Sequence, residues 1–261
     1  MIIDIHTHIY DEERYRNYFN KAKGRISKAL VLHWCKFNLT ELLNLTATKD
    51  NLYVAGSIDI NGNIQEQLEV HQKLFQEKKI FGIKLYPGYQ YFYPSDEKIY
   101  PIAELCQKYN KPLIFHSGDV YDPDKTAILK YSHPIHIDGL AVKFPDCKII
   151  ISHFGFPYHV ETANVVYKNK NVYTDVSGTL DALDTKQEEK DAFKQYVNDI
   201  KRAIAYFPDV KTKTMFGSDY GGEDTPLHEI EPYIKFVNTV FPKENRDLIF
   251  YKLAEKLFFA D

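Results

Sequence analysis

A chain of 261 residues, 44% of them hydrophobic, can build and fill one α/β barrel, which needs about 250 residues. Its net charge of -3, without a clustered basic stretch, excludes the footprint of a nucleic-acid binder. No run approaches the roughly 20 apolar residues of a membrane span, so no membrane partner is expected. The start, Met1-Ile2-Ile3-Asp4, brings a charge too early for a signal peptide. Cys35, Cys106 and Cys147 are too scattered for a disulfide framework or a zinc pattern. A cytoplasmic location is the expectation.

Short β-branched runs alternate with longer helical patterns, as parallel βα units require. Ile2 to His6 reads as the first strand, and the connection Glu12 to Ala22 is the least regular. A strand over Ala29 to Leu32 leads to a leucine-rich helix over Leu39 to Thr48. A strand over Leu52 to Ser57 leads to a helix over Ile64 to Glu77, with Ile64, Leu68 and Leu74 on one side. After a strand over Ile80 to Leu85, Pro94-Ser95-Asp96 caps a helix running to Tyr109. The fifth strand spans Leu113 to His116, and a short helix over Ile137 to Phe144 ends at Pro145. Lys148 to Ser152, Asn171 to Asp175 and Thr214 to Gly217 complete the strands. Helices over Val160 to Tyr167, Gln187 to Tyr206, Leu227 to Val240 and Glu244 to Phe258 complete the pattern. This predicts an α/β chain folded as one (β/α)8 TIM barrel over residues 1–261. An open doubly wound sheet would carry a Gly-rich turn after strand one, and Thr7-His8-Ile9 is not one.

Barrel chemistry sits at the C-terminal ends of the strands. Strand one ends in His6-Thr7-His8, and residues two apart point the same way, so both imidazoles are expected at the axis with Asp4 one layer deeper. Strand five ends in His116-Ser117-Gly118, strand six in Ser152-His153-Phe154-Gly155, and strand eight in Gly217-Ser218-Asp219. Any one of these is an ordinary loop residue; a ring of imidazoles and a carboxylate at one barrel face points to a metal. His71 reads as a surface residue of a polar helix, and His228 as structural. His133 and His136 suit capping or packing, while His33 and His159 lie on the reactive face, equally open to lining or structure.

The runs Asp4-Ile5-His6-Thr7-His8, Gly82-Ile83-Lys84-Leu85-Tyr86-Pro87, His116-Ser117-Gly118, Ser152-His153-Phe154-Gly155 and Phe216-Gly217-Ser218-Asp219 resemble the amidohydrolase superfamily. The branch they are most similar to includes aminocarboxymuconate-semialdehyde decarboxylase, and the resemblance runs from Asp4 to the terminal helix. It departs at Leu253-Ala254-Glu255-Lys256-Leu257-Phe258, which lacks the Asn of the branch's Asn-Ala pair. A shorter insertion between the first two strands speaks against a decarboxylase, and Lys84 stands where TatD-type nucleases place a Glu ligand.

The resemblance implies that His6, His8, His116 and Asp219 hold one divalent metal, with zinc favoured by the nitrogen-rich set. It implies Asp219 as the proton carrier and His153 as the group that polarises a carbonyl. Lys84 either grips a substrate carboxylate or, if carboxylated, bridges two metals. Ser117, Tyr86 and Tyr89 are candidate substrate contacts, and the run Tyr86, Tyr89, Tyr91, Phe92, Tyr93 is either an aromatic wall or loop packing. The implied activity is hydrolysis of a small carboxylate-bearing amide, lactone or ester. Non-oxidative decarboxylation and a barrel that binds a metabolite without turnover are the alternatives, and a homodimer is implied by resemblance.

Overall fold

The computed structural model describes residues 1–120, 125–180 and 186–260. Eight parallel strands lie side by side in chain order. They are β1 (Ile2–Thr7), β2 (Ile26–Leu32), β3 (Leu52–Ser57), β4 (Ile83–Leu85), β5 (Leu113–Phe115), β6 (Ile149–Ile151), β7 (Val172–Asp175) and β8 (Thr214–Met215). Ile5 N donates to Phe216 O at 3.1 Å and His8 N to Tyr220 O at 2.7 Å, so β1 meets the chain at and beyond β8 and the barrel nearly closes. This is the TIM barrel that the alternation of elements predicts.

Around it run α1 (Glu12–Ala22), α2 (Leu39–Thr46), α3 (Ile64–Gln76), α4 (Tyr100–Lys108), α5 (Leu129–Ser132), α6 (Ile137–Lys143), α7 (His159–Lys168), α8 (Lys186–Tyr206), α9 (Glu231–Val240) and α10 (Lys243–Asp247). The irregular segment Glu12 to Ala22 is helical because Asp11 caps it, accepting from Arg14 N at 2.7 Å, while Tyr18 and Ala22 bury its inner face. The helix expected from Leu227 starts at Glu231, where Pro232 occupies the first turn. The expected closing helix is α-helical to Asp247 and then widens into π-turns over Leu248–Lys252 and Glu255–Phe259, with α-helical Leu253 and Ala254 between them. Leu253, Ala254, Leu257 and Phe258 there pack against Ile3, Ile5, Leu30, Ile114 and Ile150, sealing the barrel floor. Among the described residues, this closes the floor and leaves the opposite end of the barrel for the site.

Period-2 alternation sets what faces inward. Ile83, Leu85, Leu113, Phe115, Ile149 and Ile151 pack under the helices, while Ile114 and Ile150 fill the interior. Lys84 shares the inward parity and is fully buried. β1 departs from the rule. Ile3 and Ile5 join the interior cluster, and the register shifts between Asp4 and Thr7. That irregularity re-aims His6 into the mouth beside Ile5. Asp4 does not lie at the axis as expected: its carboxylate accepts from Tyr18 Oη of α1 at 2.7 Å and from Ser218 Oγ at 2.5 Å.

His71 also corrects the sequence reading. It is buried on the inner face of α3, with Nδ1 at 2.8 Å from Gln67 O. A Cβ on Gly56 of β3 would lie 2.7 Å from His71 Nε2 and 2.8 Å from its Cδ2. Gly56→Ala is therefore expected to destabilise the fold by about 1–3 kcal/mol, measured by urea denaturation, without changing metal content.

Candidate metal centre at the barrel mouth

The strand ends converge on Asp219. His6 Nε2 lies 3.2 Å and His8 Nε2 3.1 Å from its Oδ1. Among the described residues, no group donates a hydrogen bond to this buried Oδ1. The reason follows from where the protons go. His6 Nδ1 donates to Asp175 Oδ2 at 3.2 Å, and His8 Nδ1 faces Leu32 O at 3.1 Å and Tyr10 Oη at 2.8 Å. Tyr10 Oη already donates to Leu32 O at 2.8 Å, so the His8 proton belongs on Nδ1. Neutral imidazoles with Nδ1 so occupied turn their Nε2 lone pairs toward a carboxylate oxygen. Three acceptors at contact distance with no proton between them fit a cation.

A second chain of imidazoles lies beside them. His153 Nδ1 is 3.0 Å from Ser177 Oγ, and His153 Nε2 is 3.1 Å from His116 Nδ1. Ser177 Oγ makes a short hydrogen bond to Asp175 as donor, so it can only accept from His153 Nδ1. His153 Nε2 then accepts from His116 Nδ1, which leaves His116 Nε2 as a buried lone pair on the cavity wall with no partner among the described residues. By distance alone the set differs: His6, His153 and Asp219 offer atoms within 4.8 Å of one another. The structure thus brings His6, His8 and Asp219 together and sets His116 beyond His153.

Without a cation, burial and the charges hold His8, His116 and His153 neutral and Asp219 ionised, but favour a proton on His6 that a cation would displace. Burial would raise the Asp219 pKa, but a protonated His6 imidazole outweighs it and holds the carboxyl well below its usual range. Burial lowers His153 to about 3, and burial with His153 alongside holds His116 well below its usual value. Burial also lowers His8. For His6, burial and Lys84 oppose the charged ring, yet Asp219 and Asp175 prevail and raise its pKa. Asp219, His153 and Phe154 all hold positive φ of 62°, 61° and 47°, backbone strain gathered at the reactive face.

The surrounding cavity has a volume of about 610 Å³. Trp34, Tyr86 and Tyr89 form one wall, with Trp34 edge-on to Tyr86 at 4.2 Å and to Tyr89 at 5.5 Å. Lys84 enters from below, donating to Ser152 Oγ at 2.6 Å. The aromatic run divides: Tyr86 and Tyr89 line the cavity, Phe92 is core, and Tyr91 and Tyr93 pack on Tyr131. Ser117 is turned away from the wall, donating to Ser132 O at 2.9 Å, because it follows inward-facing His116 by one residue. His33 is structural, held between Ser57 Oγ and Phe37 O at 2.9 Å each, and His133 accepts from Ile135 N as a cap. His159 packs beneath Phe156 and Tyr196, away from the cavity. Asp175, Ser177, Trp34 and Arg14 are site residues that the sequence reading passed over. Asp175 ends its strand, as His6, His116 and His153 stand at the ends of theirs, which is the signal that could have found it.

A family model described as amidohydrolase matches residues 36–260. The chain belongs to the amidohydrolase family. The match begins after β1, so the placement of His6 and His8 in this amidohydrolase rests on the geometry above. No curated protein sequence matches the chain. Solved structures of the same fold include a probable 2-pyrone-4,6-dicarboxylic acid hydrolase from Acinetobacter baumannii with citric acid bound. It has a TM-score of 0.69 and 15% identity, with 98% of each chain covered. An amidohydrolase from Burkholderia multivorans with bound zinc has a TM-score of 0.67, 12% identity and 98% of each chain covered. A 2,6-dihydroxybenzoate decarboxylase from Rhizobium has a TM-score of 0.67, 13% identity and 98% of each chain covered. At these identities the likeness is one of fold. Among the described residues of this amidohydrolase, no helix is long and apolar enough to cross a membrane.

Proposed function

We propose that this amidohydrolase is a metal-dependent hydrolase of a small carboxylate-bearing amide, lactone or ester. The observation that carries the reading is Asp219 Oδ1, a buried carboxylate oxygen facing two imidazole lone pairs without a hydrogen bond. His6, His8 and Asp219, with the open lone pair of His116, would hold one zinc ion per chain; nitrogen-rich donors suit zinc. A bound divalent cation supplies Lewis acidity to a carbonyl oxygen and to water. The reading takes Lys84 as an ammonium, which donates to Ser152 Oγ and suits an acidic ligand, and hence one ion rather than two.

The chain's own groups then divide the work. Lys84, a cation in a low-dielectric floor, binds the substrate carboxylate and orients the scissile carbonyl toward Asp219. Asp219, as the ionised carboxylate, takes a proton from water and returns it to the leaving group. His153 carries its proton on Nδ1 toward Ser177 and holds the His116 ring in place. Trp34, Tyr86 and Tyr89 exclude water and pack a small planar substrate. One barrel domain over 1–261, a cytoplasmic location, a homodimer and no nucleic-acid partner complete the reading.

Elemental analysis of purified protein tests it first. About one zinc per chain, lost in a His6→Ala, His8→Ala variant, is expected; two per chain would favour carboxylated Lys84. A screen of carboxylated lactones, esters and amides is then expected to show water-dependent bond opening. Release of carbon dioxide instead would make the enzyme a decarboxylase. No metal after adding divalent ions would sink the metalloenzyme reading and favour a barrel that only binds its ligand.

A further inference from the structure

We infer that Arg14 is a positioning residue for the Asp219 side of the metal centre, acting through the backbone of Gly221. The inference rests on the metal-centre reading above for its consequence, but its structural basis stands separately. The residues after β8 are pinned one by one to the β1–α1 segment. Asp219 N donates to His6 O at 2.8 Å, His8 N donates to Tyr220 O at 2.7 Å, and Arg14 Nε donates to Gly221 O at 2.8 Å. The first two bonds belong to the backbone of the histidines themselves. The third is made by a side chain, on the first turn of α1.

The guanidinium is fixed before it reaches Gly221. Nη1 donates to Asp11 Oδ2 at 2.7 Å, and Asp11 is the residue that caps α1. Nη2 donates to both oxygens of Asp224 at 3.0 and 2.9 Å. The planar fork lies so close on the loop that a Cβ at Gly222 (φ +117°) would fall 2.5 Å from Arg14 Nε. Arg14 lines the cavity, yet two carboxylates already neutralise it, so it does not serve as a further anion receptor. Its chemistry is spent on holding the loop. That loop begins with Asp219 in a left-handed conformation (φ 62°), which persists only where neighbours enforce it.

Asp224 separates this role from a plain surface ion pair. Its side chain is 69% exposed, and an exposed pair adds little by itself. The Gly221 bond is the one that reaches the ligand. Arg14→Gln removes it, Asp224→Asn keeps it, and Arg14→Lys keeps the charge without the fork that reaches Gly221 while held by both carboxylates.

The experiment measures two things on the full chain: zinc affinity by competition with a chelator, and hydrogen exchange of the Asp219 and Gly221 amides in metal-free protein. Arg14→Gln is expected to weaken zinc about tenfold, at the lower end of losses for residues that support metal ligands, and to speed exchange at both amides at least about tenfold. Arg14→Lys is expected to behave like Gln, and Asp224→Asn like wild type. Thermal unfolding of each variant checks the fold, and the lysine variant carries the test if the glutamine variant does not fold. Unchanged zinc affinity and exchange in Arg14→Gln would overturn the inference. Equal damage from Asp224→Asn would also overturn it, since the ion pair and not the Gly221 bond would then matter. If wild-type protein binds no zinc, the metalloenzyme reading fails alone, and the exchange rates still decide the role of Arg14.

Discussion

Asp219→Asn is expected to abolish turnover, by about a thousandfold or more, and to weaken zinc at least about a hundredfold while leaving the fold intact. The substitution keeps the shape and removes only the charge. Asn tolerates the left-handed backbone that Asp219 adopts at φ 62°, so no new strain is introduced. What is lost is the single anion between two imidazole lone pairs, at 3.2 and 3.1 Å. Removing a supporting group outside the ligand set already costs about 10–100-fold in affinity, so losing a charged ligand sets a higher floor. The loss of general acid-base work adds a further 10²–10⁴-fold on the rate. Retention of one zinc per chain after dialysis of Asp219→Asn would remove Asp219 from the ligand set.

The same assay ranks the two remaining imidazoles. His116→Ala deletes the lone pair left open on the cavity wall, whereas His153→Ala deletes the ring that accepts from His116 and donates to Ser177. The larger loss of zinc is expected from His116→Ala. The reverse order would support the set chosen by distance, His6, His153 and Asp219.

Much of this centre could be read from sequence because a barrel puts strand ends in one place. His6, His8, His116, His153 and Asp219 needed only the strand count and the rule that chemistry sits at the C-terminal mouth. What escaped depends on geometry that periodicity does not carry. A β-strand alternates until a bulge breaks it, so Asp4 was expected at the axis and instead faces Tyr18. Asp175 holds the His6 tautomer across 169 residues, a contact that no local pattern signals. Arg14 sits on a polar helix where its spacing looks like solvent-facing charge, and its partner Gly221 is 207 residues away. Ser117 is the opposite case: it was expected at the substrate, although the period of two from His116 already turns it outward.

Lys84→Met is expected to make the metal-free protein more stable at neutral pH while weakening binding of carboxylate substrates. Burial lowers the Lys84 pKa from 10.5 to about 8, and Asp175 and Asp219 recover only part of the charged form. Below pH 8 the lysine is protonated in both folded and unfolded chains, so the folded state carries the full burden of a buried ammonium. Between about 8 and 10.5 the unfolded chain holds a proton that the folded chain has released, so this contribution to stability rises with pH. The burden at neutral pH is on the order of 3 kcal/mol, against about 1.5–3 kcal/mol for the lost hydrogen bond to Ser152 Oγ. Urea denaturation at pH 7 is therefore expected to favour Lys84→Met by roughly 1 kcal/mol, with the gap closing or reversing by pH 10 as the wild-type lysine is relieved. The Michaelis constant for a carboxylate substrate is expected to rise at least about tenfold in the same variant, a loss absent for its methyl ester. A variant clearly less stable than wild type at pH 7 would mean that the ammonium bridges Asp175 and Asp219 as a structural ion and is not held in reserve for a ligand.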